Sequence, residues 1–129
     1  MRKIALAGLG IAAAVVFAPL ATADSNAFLS PSRNISCEIE VRQNYNMPDV
    51  TYCQSNSPPQ SVHMSADGTV TPCTGEGCVG NPGIGTPTLA YGQSVNLGPF
   101  TCVSQTDGVT CTVASGHGFT ISSSGIQRQ

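Results

Sequence analysis

The sequence predicts an all-β domain, a small disulfide-stapled antiparallel sandwich or open barrel that follows an N-terminal signal-peptide helix. Short runs of alternating apolar and polar residues recur along the chain, with turn residues between them. Beyond the N-terminus, no segment combines helical periodicity with a capping residue. All six cysteines follow the N-terminal segment, which is typical of a small exported domain that disulfides stabilise.

The first 23 residues have the three parts of a secretory signal peptide. A basic start precedes an uncharged apolar run from Ile4 to Leu20, and Ala21-Thr22-Ala23 supplies a small-residue cleavage site. An uncleaved membrane anchor is the alternative, but the run is short for a spanning helix. No cysteine follows the run to take a lipid. We therefore expect cleavage after residue 23 and a single secreted domain at 24–129, extracellular or in a periplasm-like envelope space.

The predicted domain is acidic and weakly charged. Its cations are Arg33, Arg42 and Arg128, against seven aspartate and glutamate residues, so that its formal net charge is −4. Nucleic acids and anionic membranes require a basic patch to neutralise phosphate, and we expect neither as a partner. The expected partner is an extracellular protein or an envelope component, and the domain is expected to be a monomer.

The C-terminal third predicts a hairpin that a disulfide closes, followed by a third strand. If Gln105 to Gly108 form a four-residue loop, Cys102 lies directly opposite Cys111, at a spacing that a disulfide accepts. A two-residue turn at Asp107-Gly108 would place Cys102 opposite Val113 instead. We prefer the first register, with Gly108 at positive φ. One face of the hairpin is then apolar and is predicted to be buried: Phe100, Cys102, Val109, Cys111 and Val113.

The six cysteines allow many disulfide pairings, and the sequence alone does not select one. Pairing of neighbours extends the argument from the hairpin to the rest of the chain. It predicts the bridges Cys37–Cys53, Cys73–Cys78 and Cys102–Cys111.

Ile35 to Val41 is the clearest strand of the sequence, and a second strand is expected at Val50 to Cys53. If Cys53 points inward to meet Cys37, strict alternation turns Val50 and Tyr52 outward. This conflicts with their apolar character, and a bulge in the strand would relieve the conflict.

The remaining segments are less regular. We expect a loose terminus at 24–27, a polar loop at 54–59, a hairpin at 61–71, two short strands at 89–92 and 94–97, and a frayed tail after residue 121. No convincing internal repeat is present.

A Gly/Pro-rich loop is predicted at about 74–87, where five glycines and two prolines prevent a regular ladder. Loops of this length are usually functional or mobile, and recognition often lies on loops of a rigid scaffold. Glu76, Val79 and Ile84 are the candidate contacts of this binding loop, within Gly75 to Pro87. A flexible connector is the alternative.

Three arrangements suggest chemistry, and each has a simpler explanation. Cys73 and Cys78 could bind a metal with His63 or His117, but an oxidising compartment favours a disulfide, so we expect no metal and no cofactor. No Cys-x-x-Cys motif indicates redox catalysis.

His117, between two glycines, could act as a general base, yet no Gly-x-Ser-x-Gly motif supplies a nucleophile. Glu38 and Glu40 resemble the carboxylate pair of a glycosidase. A solvated strand face is the simpler interpretation, because the acid of such a pair needs a desolvated pocket. We therefore expect no catalytic residues and no enzymatic activity.

Several short motifs lie along the predicted domain: Phe28 with Ser30-Pro31-Ser32, Asn34-Ile35 with Cys37, Leu89 with Tyr91-Gly92, Phe100 with Cys102 and Ser104, Gly108-Val109-Thr110-Cys111, and Gly116-His117-Gly118-Phe119. Together they resemble a family of exported actinobacterial, especially mycobacterial, disulfide-rich domains of unknown function. The chain differs where such domains usually place a glycine after the first Pro-Ser, which is Arg33 here. It also lacks a Trp-containing stretch in the middle, where Cys73 and Cys78 are unusually close. The resemblance brings no known catalytic residues.

The leading interpretation is a secreted, non-catalytic interaction or ligand-binding module. A structural cell-envelope protein is the first alternative, and a small cell-wall hydrolase is the second.

Overall fold

Ten β-strands account for more than half of residues 24–42 and 45–129, which are the residues that the computed structural model describes. Sheet A consists of β1 (Asp24–Leu29), β2 (Ile35–Val41), β3 (Val50–Asn56), β4 (Pro59–Ser65) and β5 (Val70–Thr74). Sheet B consists of β6 (Ser94–Leu97), β7 (Phe100–Gln105), β8 (Gly108–Thr112), β9 (Gly118–Ser122) and β10 (Gly125–Arg128). The predicted signal peptide, residues 1–23, lies outside the described residues and stays a prediction.

Each sheet is an antiparallel meander. The strand order is β1-β2-β3-β4-β5 in sheet A and β10-β9-β8-β7-β6 in sheet B. Neither sheet closes into a barrel, so that of the two predicted all-β architectures the sandwich is confirmed. In the described part of the chain, no helix has the length and apolarity needed to cross a bilayer.

The core lies between the two sheets, because alternate residues of each strand point to the same face. The largest buried side chains come from both sheets: Phe28, Ile39 and Met64 from sheet A, and Phe100, Phe119 and Ile121 from sheet B. The predicted buried face of the hairpin is confirmed, with Phe100, Cys102, Val109, Cys111 and Val113 all in the core.

Each sheet has one buried disulfide between neighbouring strands, at the same place in its topology. Cys37–Cys53 joins β2 to β3, and Cys102–Cys111 joins β7 to β8, with Cα atoms 4.0 Å apart in both. The bonded residues are direct partners in the ladder. Cys73–Cys78 closes an exposed loop after β5. The three bridges are the neighbour pairs that the sequence predicted.

The two sheets share the same strand connectivity, although no repeat was predicted. In both, the disulfide joins the second strand to the third, and the fourth strand leads into a four-residue turn that begins with serine and ends with glycine. These turns are Ser65-Ala66-Asp67-Gly68 and Ser122-Ser123-Ser124-Gly125. The sequence hides the relationship because the bridged cysteines are 16 residues apart in sheet A and 9 apart in sheet B.

Three segments that were predicted to be irregular are strands. The expected loose terminus is part of β1, which pairs with β2 from Asp24↔Val41 to Leu29↔Ser36. The expected polar loop shrinks to a turn at 57–58, and the expected frayed tail contains β10. The edge strands β1 and β10 lack a regular alternation of apolar side chains, and their main-chain hydrogen bonds to one neighbour do not require it. Conversely, residues 89–92 form no strand, and Tyr91 and Gly92 lie in a turn.

The bulge predicted in β3 is also wrong. Strands β2 and β3 pair without interruption from Ile35↔Ser55 to Glu40↔Val50. Val50 and Tyr52 therefore point outward, and the ring of Tyr52 contacts the outward-facing ring of His63 on β4.

The register of the C-terminal hairpin is as predicted, with Cys102 opposite Cys111. Gly108 has the positive φ that was predicted, 159°. Strand β9 adds a second reason for glycine, because a Cβ at this position would collide with the carbonyl oxygen of Ile121.

Candidate functional site

The outer face of sheet A has a concavity of about 410 Å³, which we call the outer cleft. It is lined by Glu38, Glu40, Arg42, Val50, Tyr52 and His63. The row across the sheet is set by strand pairing, because Glu38 is the partner of Tyr52, and Tyr52 is the partner of His63. Strict alternation along three strands thus places acidic, aromatic and imidazole groups side by side on the surface.

Tyr52 and His63 form an aromatic pair in this cleft. Their ring centroids are 4.6 Å apart and their planes are inclined by 55°. The Tyr52 hydroxyl has two acceptors within reach, Oε1 of Gln54 at 2.8 Å and the carbonyl oxygen of Cys78 at 3.2 Å. The hydroxyl thus connects the cleft to the loop that follows β5.

The two glutamates differ in their surroundings. Glu40 forms an ion pair with Arg42, with a distance of 3.1 Å between Oε1 and Nη1. Partial burial raises the pKa of Glu38, and repulsion by Glu40 and a hydrogen bond with it act in the same direction. Arg42 opposes this rise in the pKa. The Glu38 carboxyl therefore releases its proton at higher pH than an ordinary glutamate does.

The Gly/Pro-rich loop is anchored to sheet A through the side chain of Gln54. Gln54 Nε2 donates to the carbonyl oxygen of Gly80 at 2.6 Å, and its Oε1 accepts from the Gly80 amide at 2.8 Å. The Gly75 amide also donates to the Pro59 carbonyl oxygen at 2.9 Å. The loop is thus tethered at its start and middle, and residues 81–86 project beyond the tether.

The loop and sheet A enclose a second concavity of about 200 Å³. It shares Glu38 and Tyr52 with the outer cleft, and Asn81, Pro82 and Gly83 form its far wall. The two concavities are therefore neighbouring parts of one surface.

The three predicted contacts of the binding loop occupy different positions. Ile84 is fully exposed at the tip, with a relative exposure of 107%. Val79 is half-buried, and it lines a further concavity of about 290 Å³ together with exposed Glu76. Gln54 and Tyr52 were not among the residues predicted for this site. The outward position of Tyr52 was the available signal, but it was interpreted as a conflict to be relieved by a bulge.

The residues considered for metal binding and catalysis are not assembled as a metal site. Cys73 and Cys78 are bonded to each other, so neither sulfur is a thiolate ligand. His63 lies in the outer cleft, and His117 lies in the β8–β9 turn beside Gly68. Among the described residues, Cys37, Cys53 and Cys111 bring their sulfurs within 4.8 Å of one another, but all three belong to disulfides.

Fold and covalent framework together define a small disulfide-stapled β-sandwich, a class that is typical of oxidising, extracellular-type environments. The chain belongs to a family of unknown function, DUF6636, which matches residues 53–128. The match includes the second half of β3, all of β4 to β10, the anchored loop and two of the disulfides. No curated protein and no solved structure matched the chain.

Proposed function

We propose that the protein is an exported, non-catalytic binding module whose partner contacts the outer cleft and the tip of the anchored loop. One observation carries the proposal. Two neighbouring concavities share Glu38 and Tyr52, and Gln54 holds the loop that forms their wall. A fixed wall beside aromatic and charged side chains limits the conformational entropy that is lost when a partner binds.

The exposed tip of the loop supports the same surface. An isoleucine side chain that contacts no neighbour loses nothing by leaving water, and it gains burial when a partner covers it. The negative charge of residues 24–129 favours a neutral or basic partner, which we take to be an extracellular protein or an envelope component.

The arrangement of the glutamates favours binding over hydrolysis. Glycosidase carboxyls flank the scissile bond from opposite sides, at least about 5 Å apart. Glu38 and Glu40 lie on one face of one strand and are coupled by a hydrogen bond, so that they compete for a proton at one location.

The binding test uses three variants of the purified protein. Ile84→Ser removes the apolar tip, and Gln54→Ala releases the loop while leaving the lining side chains of the outer cleft in place. Val103→Ser is the matched control, because this half-buried valine lies on sheet B. We expect saturable binding to one component of envelope fractions or exported proteins, weakened by the first two changes and unaffected by the third.

A double substitution of Val79 and Ile84 by serine adds a stability readout. We expect weaker binding and a nearly unchanged melting temperature. Unfolding of this variant would place both side chains in the core and contradict the loop as a contact surface. Polysaccharide hydrolysis that disappears in His117→Ala would replace the binding module with a hydrolase, and the absence of any partner would favour a structural role.

Export has its own test. Intact-mass analysis of the culture supernatant is expected to show a chain that begins at Asp24. Retention of residues 1–23 in a membrane fraction would contradict cleavage and the secreted location.

A further inference from the structure

Another concavity lies at one end of the sandwich, away from the concavities on sheet A. We call it the end cleft. Its volume is about 230 Å³, and it shares no lining residue with the outer cleft. Three turns meet there, those between β1 and β2, between β7 and β8, and between β9 and β10, together with Tyr91. The cleft therefore combines segments that are distant in the sequence.

Tyr91 is presented by a turn that is fixed to the edge of sheet B. The Gly92 amide donates to the Ser104 carbonyl oxygen at 2.7 Å, and the Ser104 amide donates to the Gln93 carbonyl oxygen at 2.9 Å. Gly92 has a φ of 86°, which a glycine adopts without strain. The tyrosine side chain remains 46% exposed. The backbone that presents the ring is thus held in place, and the ring is accessible to a ligand.

One wall of the end cleft is rigid because its polar side chains bond to one another and to the backbone. Ser30 Oγ and Ser32 Oγ are 3.0 Å apart, and Ser30 Oγ also accepts from the Ile35 amide at 3.1 Å. Asn34 Nδ2 donates to the Ser57 carbonyl oxygen at 3.0 Å. These hydrogen bonds fix the side chains of this wall.

The opposite wall has hydrogen-bonding groups without a partner among the described residues. These are the Tyr91 hydroxyl, the Thr106 hydroxyl, the Asp107 carboxylate and the Ser123 hydroxyl. Gln105 Oε1 accepts from Thr110 Oγ1 at 3.1 Å, which orients the amide and leaves Nε2 as a donor. Acceptors and donors therefore converge beside an aromatic ring.

An aromatic ring beside hydrogen-bond donors and acceptors favours a sugar as the ligand. Neighbouring hydroxyls of a sugar can donate to a carboxylate and accept from an amide, while the C–H face of the ring packs on an aromatic side chain. The cleft is smaller than the roughly 300 to 1,000 Å³ of sites for drug-sized ligands, which fits a single ring. Its lining has one charged group, Asp107, and no cation, which disfavours phosphorylated or carboxylated sugars.

We propose that the end cleft binds one sugar unit of a neutral carbohydrate. The unit stacks on Tyr91 and hydrogen-bonds to Asp107 and Gln105. The proposal is independent of the outer cleft, because none of these residues lines it.

The test is an NMR titration of the isotope-labelled protein with two sets of probes. The first set contains neutral monosaccharides, such as glucose, galactose, mannose and arabinose, and the second contains soluble neutral polysaccharides, such as glucan and mannan. We expect saturable shift changes at Tyr91, at residues 105–108 and at Ser123. Binding of both sets indicates recognition of the sugar unit itself, and binding of polysaccharides alone indicates recognition of a unit within a chain.

Variants identify the contacts. Tyr91→Ala is expected to weaken binding about 3- to 10-fold, the range of an aromatic contact. Asp107→Asn is expected to weaken it roughly 10-fold or more by removing a charge-assisted hydrogen bond. Tyr45→Ala is the matched control, because Tyr45 is exposed to a similar extent, 50%, outside the end cleft.

Three results would overturn the proposal. The first is the absence of shifts in the end cleft at saturating probe concentrations. The second is equal affinity of the wild type, Tyr91→Ala and Asp107→Asn. The third is tighter binding of a glucose phosphate than of glucose.

Discussion

The Sγ atoms of Cys53 and Cys111 lie 3.9 Å apart at the centre of the sandwich, where the disulfide of sheet A packs on the disulfide of sheet B. All four cysteines of these two bridges are buried. The bridges are therefore part of the core as well as cross-links. Removing one takes away packed atoms from between the sheets and a constraint on the unfolded chain.

Replacement of both core cysteines in one sheet should cost more stability than replacement of the exposed pair. We expect Cys102→Ala with Cys111→Ala to lower the free energy of unfolding by about 2 to 5 kcal/mol. Cys73→Ala with Cys78→Ala should cost less, because that bridge is exposed and closes the shortest loop. Denaturant unfolding measures both, and equal losses would contradict a packing role for the core bridges.

Stability should decrease as the pH rises through the titration of Glu38. The folded state raises the pKa of this carboxyl above its ordinary value of 4.5, chiefly through burial and then through Glu40. Between the unfolded and the folded pKa, the folded state retains a proton that the unfolded state has lost, so that rising pH favours unfolding. In Glu38→Gln this component of the pH dependence should be absent.

The cause of the raised pKa can be tested at Glu40. Glu40→Gln removes the repulsion and leaves Arg42 without its ion-pair partner, so the pKa of Glu38 should fall in an NMR titration. An unchanged pKa would show that burial alone is responsible.

Gly118 should not tolerate a side chain. A Cβ at this position would collide with the carbonyl oxygen of Cys111 and lie 2.8 Å from the Thr112 Cα, because β8 and β9 approach closely. We expect Gly118→Ala to lower the free energy of unfolding by about 1 to 3 kcal/mol, as overpacking does. Gly77→Ala is the control, since no atom lies within 4 Å of its added Cβ. Comparable melting temperatures for the two variants would contradict this close approach.

Replacement of Arg33 by glycine should stabilise the folded protein. The φ of Arg33 is 66°, in the left-handed region, which costs an ordinary residue about 1 to 2 kcal/mol relative to glycine. The domains that the sequence resembles usually have a glycine here. Glycine also makes the unfolded chain more flexible, which offsets part of this gain. Arg33→Gly is therefore expected to stabilise the fold by up to about 1 kcal/mol.

Arg33→Ala separates the backbone from the side chain. It should retain the positive φ and therefore show no such gain. If alanine stabilised the protein as much as glycine, loss of the arginine side chain would be the cause instead.

Short-range constraints made the hairpins predictable. The register of β7 and β8 follows from one turn and two cysteines nine residues apart, and alternation then assigns each side chain to a face. The same reasoning placed Glu38 and Glu40 on the surface. All of β10 and most of β1, except the brief strand expected at Phe28-Leu29, escaped it, because their pairing depends on a neighbouring backbone rather than on their own side-chain pattern.

The sequence by itself determined the all-β class, the register of the C-terminal hairpin and the inward or outward direction of the central side chains, since each depends on residues close in the chain. Only the tertiary structure decided what covers those faces. Gln54 bonds to Gly80 from 26 residues away, and Tyr91 lines the same cleft as Ser32 and Asp107. Alternation specifies which side of a sheet a residue occupies, but the segment that packs on that side is chosen by contacts between distant parts of the chain.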